Sequence, residues 1–109
     1  MKILAAIITH NRCELLERCI DHLQKQTRLP DLVLVVNNGS TDATVDMLMR
    51  RNIQHITQEN LGSAGGWNRA ISHALEHHFD AVWLMDDDGF ANPSALERLE
   101  SNLDTDTAC

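Results

Sequence analysis

The stretch AVWLMDDD at residues 81–88 is the part of the sequence that says most about both the fold and the site. Five apolar residues at 81–85 predict a buried β-strand, and Asp86, Asp87 and Asp88 follow it directly. Adjacent carboxylates at the end of a buried strand repel one another unless a cation offsets their charge. Hard divalent cations with oxygen ligands do this in proteins, so we expect such a cation here. The alternative is a solvated turn that favours the dipole of a following helix.

Length, charge and composition limit the classes of protein to which the chain can belong. With 109 residues, 43% of them hydrophobic, it forms one domain or part of one. The net charge of −7 argues against a nucleic-acid binder, which needs a basic face for phosphates. No apolar run approaches the roughly 18 residues of a transmembrane segment, and the first run is too short for a signal peptide. We therefore expect a cytosolic location.

Strands and helices alternate along the whole chain. Continuous apolar runs rich in Ile, Val and Leu predict buried strands at residues 2–8, 32–36 and 81–85. An alternating pattern predicts a half-exposed edge strand at residues 52–57. Apolar residues at helical spacing predict amphipathic helices near residues 12–26, after 41, from 67 to 78 and from 93 onward. These lengths suit right-handed crossovers, which predicts a mostly parallel sheet with helices on both faces.

Unusual polar residues follow every predicted strand. The carboxyl ends of parallel strands share one edge of a sheet, and ligands bind in the crevice outside that edge. The polar clusters that fall there occupy residues 9–12, 37–42, 58–66 and 86–89. We expect them to form one binding site.

Each of these clusters, taken singly, also has a structural explanation. Residues 9–12 suit a strand-to-helix turn in which Asn11 caps the helix. Ser40 or Thr41 is expected to cap the helix after the second strand. The glycine-rich turn at 58–66 does not have the spacing of the dinucleotide-binding fingerprint, and its glycines would allow a helix to pack closely.

Histidines, tryptophans and cysteines carry less information. The histidines show no ligand spacing on a shared face, and we interpret them as surface or packing residues, namely His22, His55, His73, His77 and His78. Trp67 and Trp83 are expected in the core. The cysteines match no zinc pattern and are interpreted as reduced thiols, with Cys19 in the core and Cys13 near the surface.

Four motifs stand in order along the chain: IITHNR at 7–12, VVNNGSTD at 35–42, NLGSAGGWNR at 60–69 and LMDDD at 84–88. In this order they resemble the motifs of family 2 glycosyltransferases of the GT-A fold. The glycine-rich loop most resembles the bacterial rhamnosyltransferase and galactofuranosyltransferase branch. The resemblance implies a Rossmann-like three-layer sandwich around a mostly parallel sheet of about four strands. Residues 1–109 would be its part that binds a nucleotide-diphosphate-sugar donor, without the acceptor half.

The resemblance also implies a chemistry and a set of site residues. It implies a metal-dependent, inverting transfer from a dTDP- or UDP-linked sugar, with Mg²⁺ or Mn²⁺ bound directly by Asp88 and assisted by Asp86. Asn37 and Asn38 stand where the family usually places acidic residues against base and ribose. An amide both donates and accepts hydrogen bonds, so contact is kept with a different pairing. The donor-binding residues implied are Thr9, His10, Asn11, Arg12, Asn37, Asn38, Ser40, Asn60, Gly65, Gly66, Arg69, Asp86 and Asp87.

The catalytic base of the family lies downstream of the aspartates, so none is expected within this chain. Glu97 and Glu100 are interpreted as the solvated face of the last helix. We expect a donor-binding half with little or no transfer activity of its own. The full-length protein would use a glycan or lipid-linked acceptor in cell-surface polysaccharide synthesis, in the cytoplasm or at the periphery of the inner membrane.

Two other functions fit parts of the pattern. A non-catalytic nucleotide- or metal-binding module of the same fold need not prefer a nucleotide-sugar over the bare nucleotide. A nucleotidyltransferase also combines a parallel sheet, a glycine-rich loop and paired aspartates. Its glycine-rich loop is expected directly after the first strand, where this chain has THNR at residues 9–12, so the sequence disfavours it.

Overall fold

A parallel sheet with helices on both faces forms the structure. The computed structural model describes residues 2–60, 62–87 and 93–105, without the side chains of residues 63 and 102–105. In chain order the elements are β1 (Ile3–Thr9), α1 (Cys13–Gln24), β2 (Leu32–Asn38), α2 (Thr44–Arg50), β3 (Gln54–Gln58), α3 (Gly62–Glu76), β4 (Ala81–Asp86) and α4 (Ala95–Thr105). The four strands pair in parallel in the order β3-β2-β1-β4, which confirms the predicted architecture. Within these residues no helix combines the length and apolarity that crossing a membrane requires.

Each face of the sheet buries its own cluster of apolar side chains. β1 is buried along its whole length, and its side chains alternate between the two clusters. Ala5 and Ile7 pack with residues of α1 and α2 on one face. Ala6 and Ile8 pack with residues of α3 on the other face. The continuous apolar run of β1 follows from this double burial.

β4 has surroundings that differ from those predicted. Among the described residues it pairs only with β1, so it lies at an edge of the sheet, and residues 81–85 are half-buried. The prediction that a fully buried strand leads into the aspartates is therefore wrong in this respect. The edge position predicted for β3 is confirmed. Trp83 and Trp67 are half-buried and pack against the margins of the two clusters.

The starts of three helices also differ from the predictions. α3 begins at Gly62, so Gly65 and Gly66 lie inside a helix and not in a turn. α2 has Ala43 as its N-cap residue without a side-chain cap, so neither Ser40 nor Thr41 caps it. α1 likewise begins after Arg12, without a side-chain cap. The side chains of Asn11 and Ser40 instead connect the loop after β1 to the loop after β2.

α4 is attached to the segment that follows α1. The backbone N–H of Thr27 donates to the carbonyl of Pro93 at 2.8 Å. Nη2 of Arg28 lies 2.9 Å from a carboxylate oxygen of Glu100, and the Thr27 hydroxyl donates to Glu97 at 2.7 Å. Both side chains thus attach α4 to the rest of the domain. The predicted solvated position is confirmed for Glu97, which is exposed, whereas Glu100 is half-buried against Arg28.

Gly66 determines how closely α3 approaches the sheet. A Cβ atom at this position would lie 2.6 Å from Cγ2 of Ile8 and 3.3 Å from Nδ2 of Asn38. The Cγ2 methyl group sits on a β-branched carbon and has little freedom to move. Gly66 therefore permits the close contact between α3 and β1. This confirms the expectation that glycines in this segment allow a helix to pack closely against the sheet.

We predict that Gly66→Ala lowers the free energy of unfolding by about 1–3 kcal/mol through overpacking, although alanine is favoured over glycine inside a helix by about 1 kcal/mol. Ile8→Ala removes both Ile8 methyl groups that crowd this position. The cost of Gly66→Ala should therefore be much smaller in the Ile8→Ala background. Urea unfolding of the four proteins of this cycle measures the coupling, and simply additive effects would contradict the close approach.

Candidate functional site

The register of the sheet brings the carboxyl ends of its four strands to one edge. Thr9 pairs with Asn37, Asn38 with Gln58, and Ile8 with Asp86. A cleft of about 330 Å³ opens at this edge, a volume at the lower end of the range for small-molecule sites. The described residues that line it are Ile8, Thr9, His10, Arg12, Asn38, Asn60, Gly62, Asp86 and Asp87. Clusters that are distant in the sequence thus contribute to one cleft.

Asp87 is held inside the edge of the sheet by two side chains. Its Oδ2 atom accepts a hydrogen bond from the hydroxyl of Thr9 at 2.9 Å, and its Oδ1 atom lies 3.4 Å from Nη1 of Arg12. The side chain of Asp87 is 6% exposed, whereas that of Arg12 is 53% exposed. A buried carboxylate needs such partners, because an unpaired buried charge is costly. The middle aspartate is therefore neutralised from within the protein.

Asp86 has the opposite environment. Its side chain is exposed at the margin of the cleft, and its carboxylate makes no hydrogen bond or ion pair with any residue that the structure describes. Carboxylate oxygens of this kind suit a hard divalent cation. The described ranges hold no group of three His, Cys, Asp or Glu side chains that could by itself bind a metal. Asp88, the predicted direct ligand, lies outside the described residues.

The loops after β1 and β2 interlock beside the cleft. Nδ1 of His10 donates to the carbonyl of Asn38 at 2.6 Å, because a carbonyl oxygen can only accept. The backbone N–H of Asn11 donates to the hydroxyl of Ser40 at 2.9 Å, and Oδ1 of Asn11 accepts from the N–H of Thr41 at 2.7 Å. Asn11 has a positive φ of 52°, which asparagine tolerates better than most residues. Asn11 therefore stabilises the neighbouring loop and does not cap α1.

The amide side chains of Asn37 and Asn38 point into the protein. Oδ1 of Asn37 accepts from the backbone N–H of Ser40 at 3.1 Å. Asn38 accepts from Nε2 of Gln58 at 2.8 Å and donates to the carbonyl of Gly62 at 3.0 Å. These bonds attach the end of β2 to the end of β3 and to the start of α3. Direct contact of these two amides with a nucleoside stays a prediction.

Asp42 bridges the starts of α1 and α2. Its carboxylate accepts from the backbone N–H of Thr44 at 3.0 Å and from that of Cys13 at 3.2 Å. Burial acts to raise the pKa of Asp42, but the hydrogen bonds from Thr44 and Cys13 outweigh it and hold this pKa below its usual value. Burial, together with Asp42 and Glu17, raises the pKa of the Cys13 thiol, so Cys13 is poorly suited to act as a nucleophile.

The cleft brings together about half of the predicted donor-binding residues. Those that line it are Thr9, His10, Arg12, Asn38, Asn60, Asp86 and Asp87, whereas Asn11, Asn37, Ser40, Gly65, Gly66 and Arg69 are not among its lining residues. Ile8 and Gly62 line the cleft but were not predicted. Ile8 lies at the cleft because it pairs with Asp86 in the sheet, and residue types alone do not predict the register of two strands.

Two glycosyltransferases are clearly similar to this chain in sequence. Galactofuranosyltransferase GlfT1 of Mycobacterium tuberculosis is 42% identical over 99 residues, which are 86% of this chain and 33% of the relative. O-antigen chain rhamnosyltransferase RfbN of Salmonella typhimurium is 29% identical over 102 residues, which are 91% of this chain and 32% of the relative. The chain thus spans about a third of the length of these relatives.

Solved structures share the fold of this chain, and a family model matches its sequence. S. aureus TarS matches with a TM-score of 0.74 at 23% identity, over 96% of this chain and 20% of TarS. Mannosyltransferase PcManGT from Pyrobaculum calidifontis, in complex with GDP-Man and Mn²⁺, matches with a TM-score of 0.66 at 26% identity, over 80% of this chain and 27% of that protein. The model of the family described as "Glycosyl transferase family 2" matches residues 5–109. As the four motifs predicted, the chain belongs to glycosyl transferase family 2.

Proposed function

We propose that this chain is the donor-binding part of a glycosyltransferase and holds a nucleotide-diphosphate-sugar in the cleft at the carboxyl edge of the sheet. The observation that carries the proposal is the composition of this cleft, where an arginine, a helix start and a carboxylate that no described residue engages lie together. Similarity to galactofuranosyltransferase GlfT1 and to a mannosyltransferase structure that contains GDP-Man and Mn²⁺ supports it.

Two features of the cleft suit the diphosphate of such a donor. Gly62 lines the cleft at the first position of α3, where the helix dipole favours an anion, although the N–H of Gly62 itself donates to Oδ1 of Asn60 at 3.1 Å. Arg12 presents a half-exposed guanidinium to the same space while it contacts Asp87. Local cationic groups are needed because the chain as a whole carries a net charge of −7.

The carboxylate oxygens at the end of β4 suit a bound Mg²⁺ or Mn²⁺. Asp86 would hold the cation together with Asp88, which lies outside the described residues. Such ions are usually held by one or two carboxylates together with substrate phosphates. When bound, the cation would supply a Lewis acid that stabilises the departing nucleotide diphosphate. Asp87 would take no direct part, since Thr9 and Arg12 occupy its carboxylate.

The finer identity of the reaction rests on the resemblance of the four sequence motifs to those of the family. We propose a dTDP- or UDP-linked sugar as the donor and an inverting transfer to a glycan or lipid-linked acceptor in cell-surface polysaccharide synthesis. The relatives are about three times as long as this chain, so the acceptor site and the catalytic base are assigned to other parts of the full-length protein. Residues 1–109 would then bind the donor with little transfer of their own, in the cytoplasm or at the inner face of the membrane.

The metal-dependent donor site leads to a calorimetric prediction. We expect at least one nucleotide-sugar from a panel of UDP-, dTDP- and GDP-linked sugars to bind about tenfold or more tightly in Mn²⁺ than in its absence. Asp86→Asn and Asp88→Asn should each abolish this dependence. Asp46→Asn removes an exposed carboxylate on α2 and should have no effect, which makes it the matched control.

Two outcomes of this titration would contradict the proposal. One is binding that does not depend on the metal, and the other is the absence of binding by any member of the panel. Equal affinity for a nucleotide-sugar and for the corresponding bare nucleotide would favour the alternative of a non-catalytic nucleotide-binding module.

The two environments of Asp86 and Asp87 lead to a second prediction. Asp87→Asn should lower the free energy of unfolding by about 1–3 kcal/mol, because it removes a buried charged acceptor from the Thr9 hydroxyl and Arg12. Asp86→Asn should change it by less than about 0.5 kcal/mol, since the side chain is exposed. Urea unfolding of the metal-free proteins tests this difference. Equal costs at the two positions would refute the assignment of separate roles.

Thr9→Val is the matched control for this comparison. It keeps the shape of the side chain and removes only the hydroxyl that donates to Asp87. It should therefore destabilise the protein, and its cost should largely disappear in the Asp87→Asn background.

A further inference from the structure

Two imidazole rings lie in contact at the carboxyl end of α3. His73 and His77 are four residues apart, their ring centroids are separated by 4.3 Å, and their planes are inclined by 38°. Residues four apart on a helix face the same side. The interpretation of the histidines as residues that share no face is therefore wrong for this pair, although its spacing is visible in the sequence.

The backbone that carries these rings is fixed by the way the helix ends. His78 has a positive φ of 59°, and its N–H donates to the carbonyl of Leu75 at 3.3 Å. The N–H of Phe79 donates to the carbonyl of Ala74 at 3.0 Å, which completes a Schellman motif. The N–H of His77 still donates to the carbonyl four residues earlier at 3.1 Å. Helical spacing is thus retained up to the second ring.

Burial is the main influence on the protonation of His73. Burial lowers the pKa of His73, and His77 and Arg69 lower it further, while Glu76 acts in the opposite direction. The nearby ammonium group of Lys2 is engaged, because Nζ donates to the carbonyl of His77 at 3.2 Å and lies 4.5 Å from the ring centre of Phe79.

We propose that His73 and His77 form a binding site for a late first-row transition ion such as Ni²⁺, Cu²⁺ or Zn²⁺, with water as the remaining ligands. Two histidines four residues apart on one helix face are the spacing at which helices present imidazoles to zinc. Imidazole suits these ions, whereas carboxylate oxygen suits Mg²⁺ and Mn²⁺. The site is therefore chemically distinct from the end of β4 and does not depend on the proposed donor function.

The two sites are also separated in space. Gly62 lines the cleft at the start of α3, and His77 follows its last residue. At 1.5 Å per residue these positions are about 20 Å apart along the helix. An ion bound by the histidines would join two successive turns of α3 and add to the stability of its carboxyl end.

Calorimetric titration of the 109-residue chain with Ni²⁺ tests this site. We expect Ni²⁺ to bind, and we expect His73→Gln and His77→Gln each to weaken this binding by about tenfold or more. His22→Gln replaces a single exposed histidine on α1 and should leave the affinity unchanged. Failure of the wild-type chain to bind Ni²⁺, or undiminished binding by either of the first two variants, would overturn the proposal.

A measurement on the wild-type chain keeps the test independent of the folding of the variants. Paramagnetic Ni²⁺ added in small amounts should broaden the imidazole proton signals of His73 and His77 before those of the other histidines. Simultaneous broadening of all histidine signals, or earlier broadening at His22 or His55, would refute the site.

Discussion

The position of β1 between β2 and β4 is the constraint on which the rest of the structure depends. β1 is buried along its length and pairs in parallel with both neighbours. Parallel pairing sends the end of every strand to one edge, so residues separated by more than seventy positions in the sequence, such as Thr9 and Asp87, come within hydrogen-bonding distance. The cleft is thus a consequence of the sheet, and the loops only decide which groups line it.

Charge is the second constraint, because an acidic chain collects carboxylates at the edge where it is proposed to bind an anion. The structure separates the described aspartates by burial. Asp87 is almost completely enclosed and satisfied by Thr9 and Arg12, while Asp86 remains exposed and unengaged by described residues. Repulsion between these two aspartates is reduced in this way before any metal binds. The proposed cation would then serve the ligand and not the fold.

The sequence predicted the parallel architecture, the order of the elements and the shared edge, because apolar periodicity and strand length report directly on burial. It did not predict which polar side chains turn inward. An asparagine or a serine in a loop can contact either a ligand or a neighbouring loop, and its residue type does not distinguish the two. Only the folded structure shows that the side chains of Asn11, Asn38 and Ser40 bind neighbouring segments. The edge position of β4 was also missed, since a run of five apolar residues is compatible with a half-buried strand that packs against the core on its two faces.

The amides at the end of β2 show why an acidic residue would fit this particular edge poorly. Asn38 donates to the carbonyl of Gly62 and accepts from Gln58 at the same time. A carboxylate can only accept, so it would face the Gly62 carbonyl without a proton to share and would leave that bond unmade. It would also add a negative charge to an edge that already carries Asp86 and Asp87. Because the Gly62 bond and the absence of a side chain at Gly66 both fix the start of α3 against the sheet, the amide is matched to the position of that helix. Asn38 thus fixes the start of α3 at the margin of the cleft.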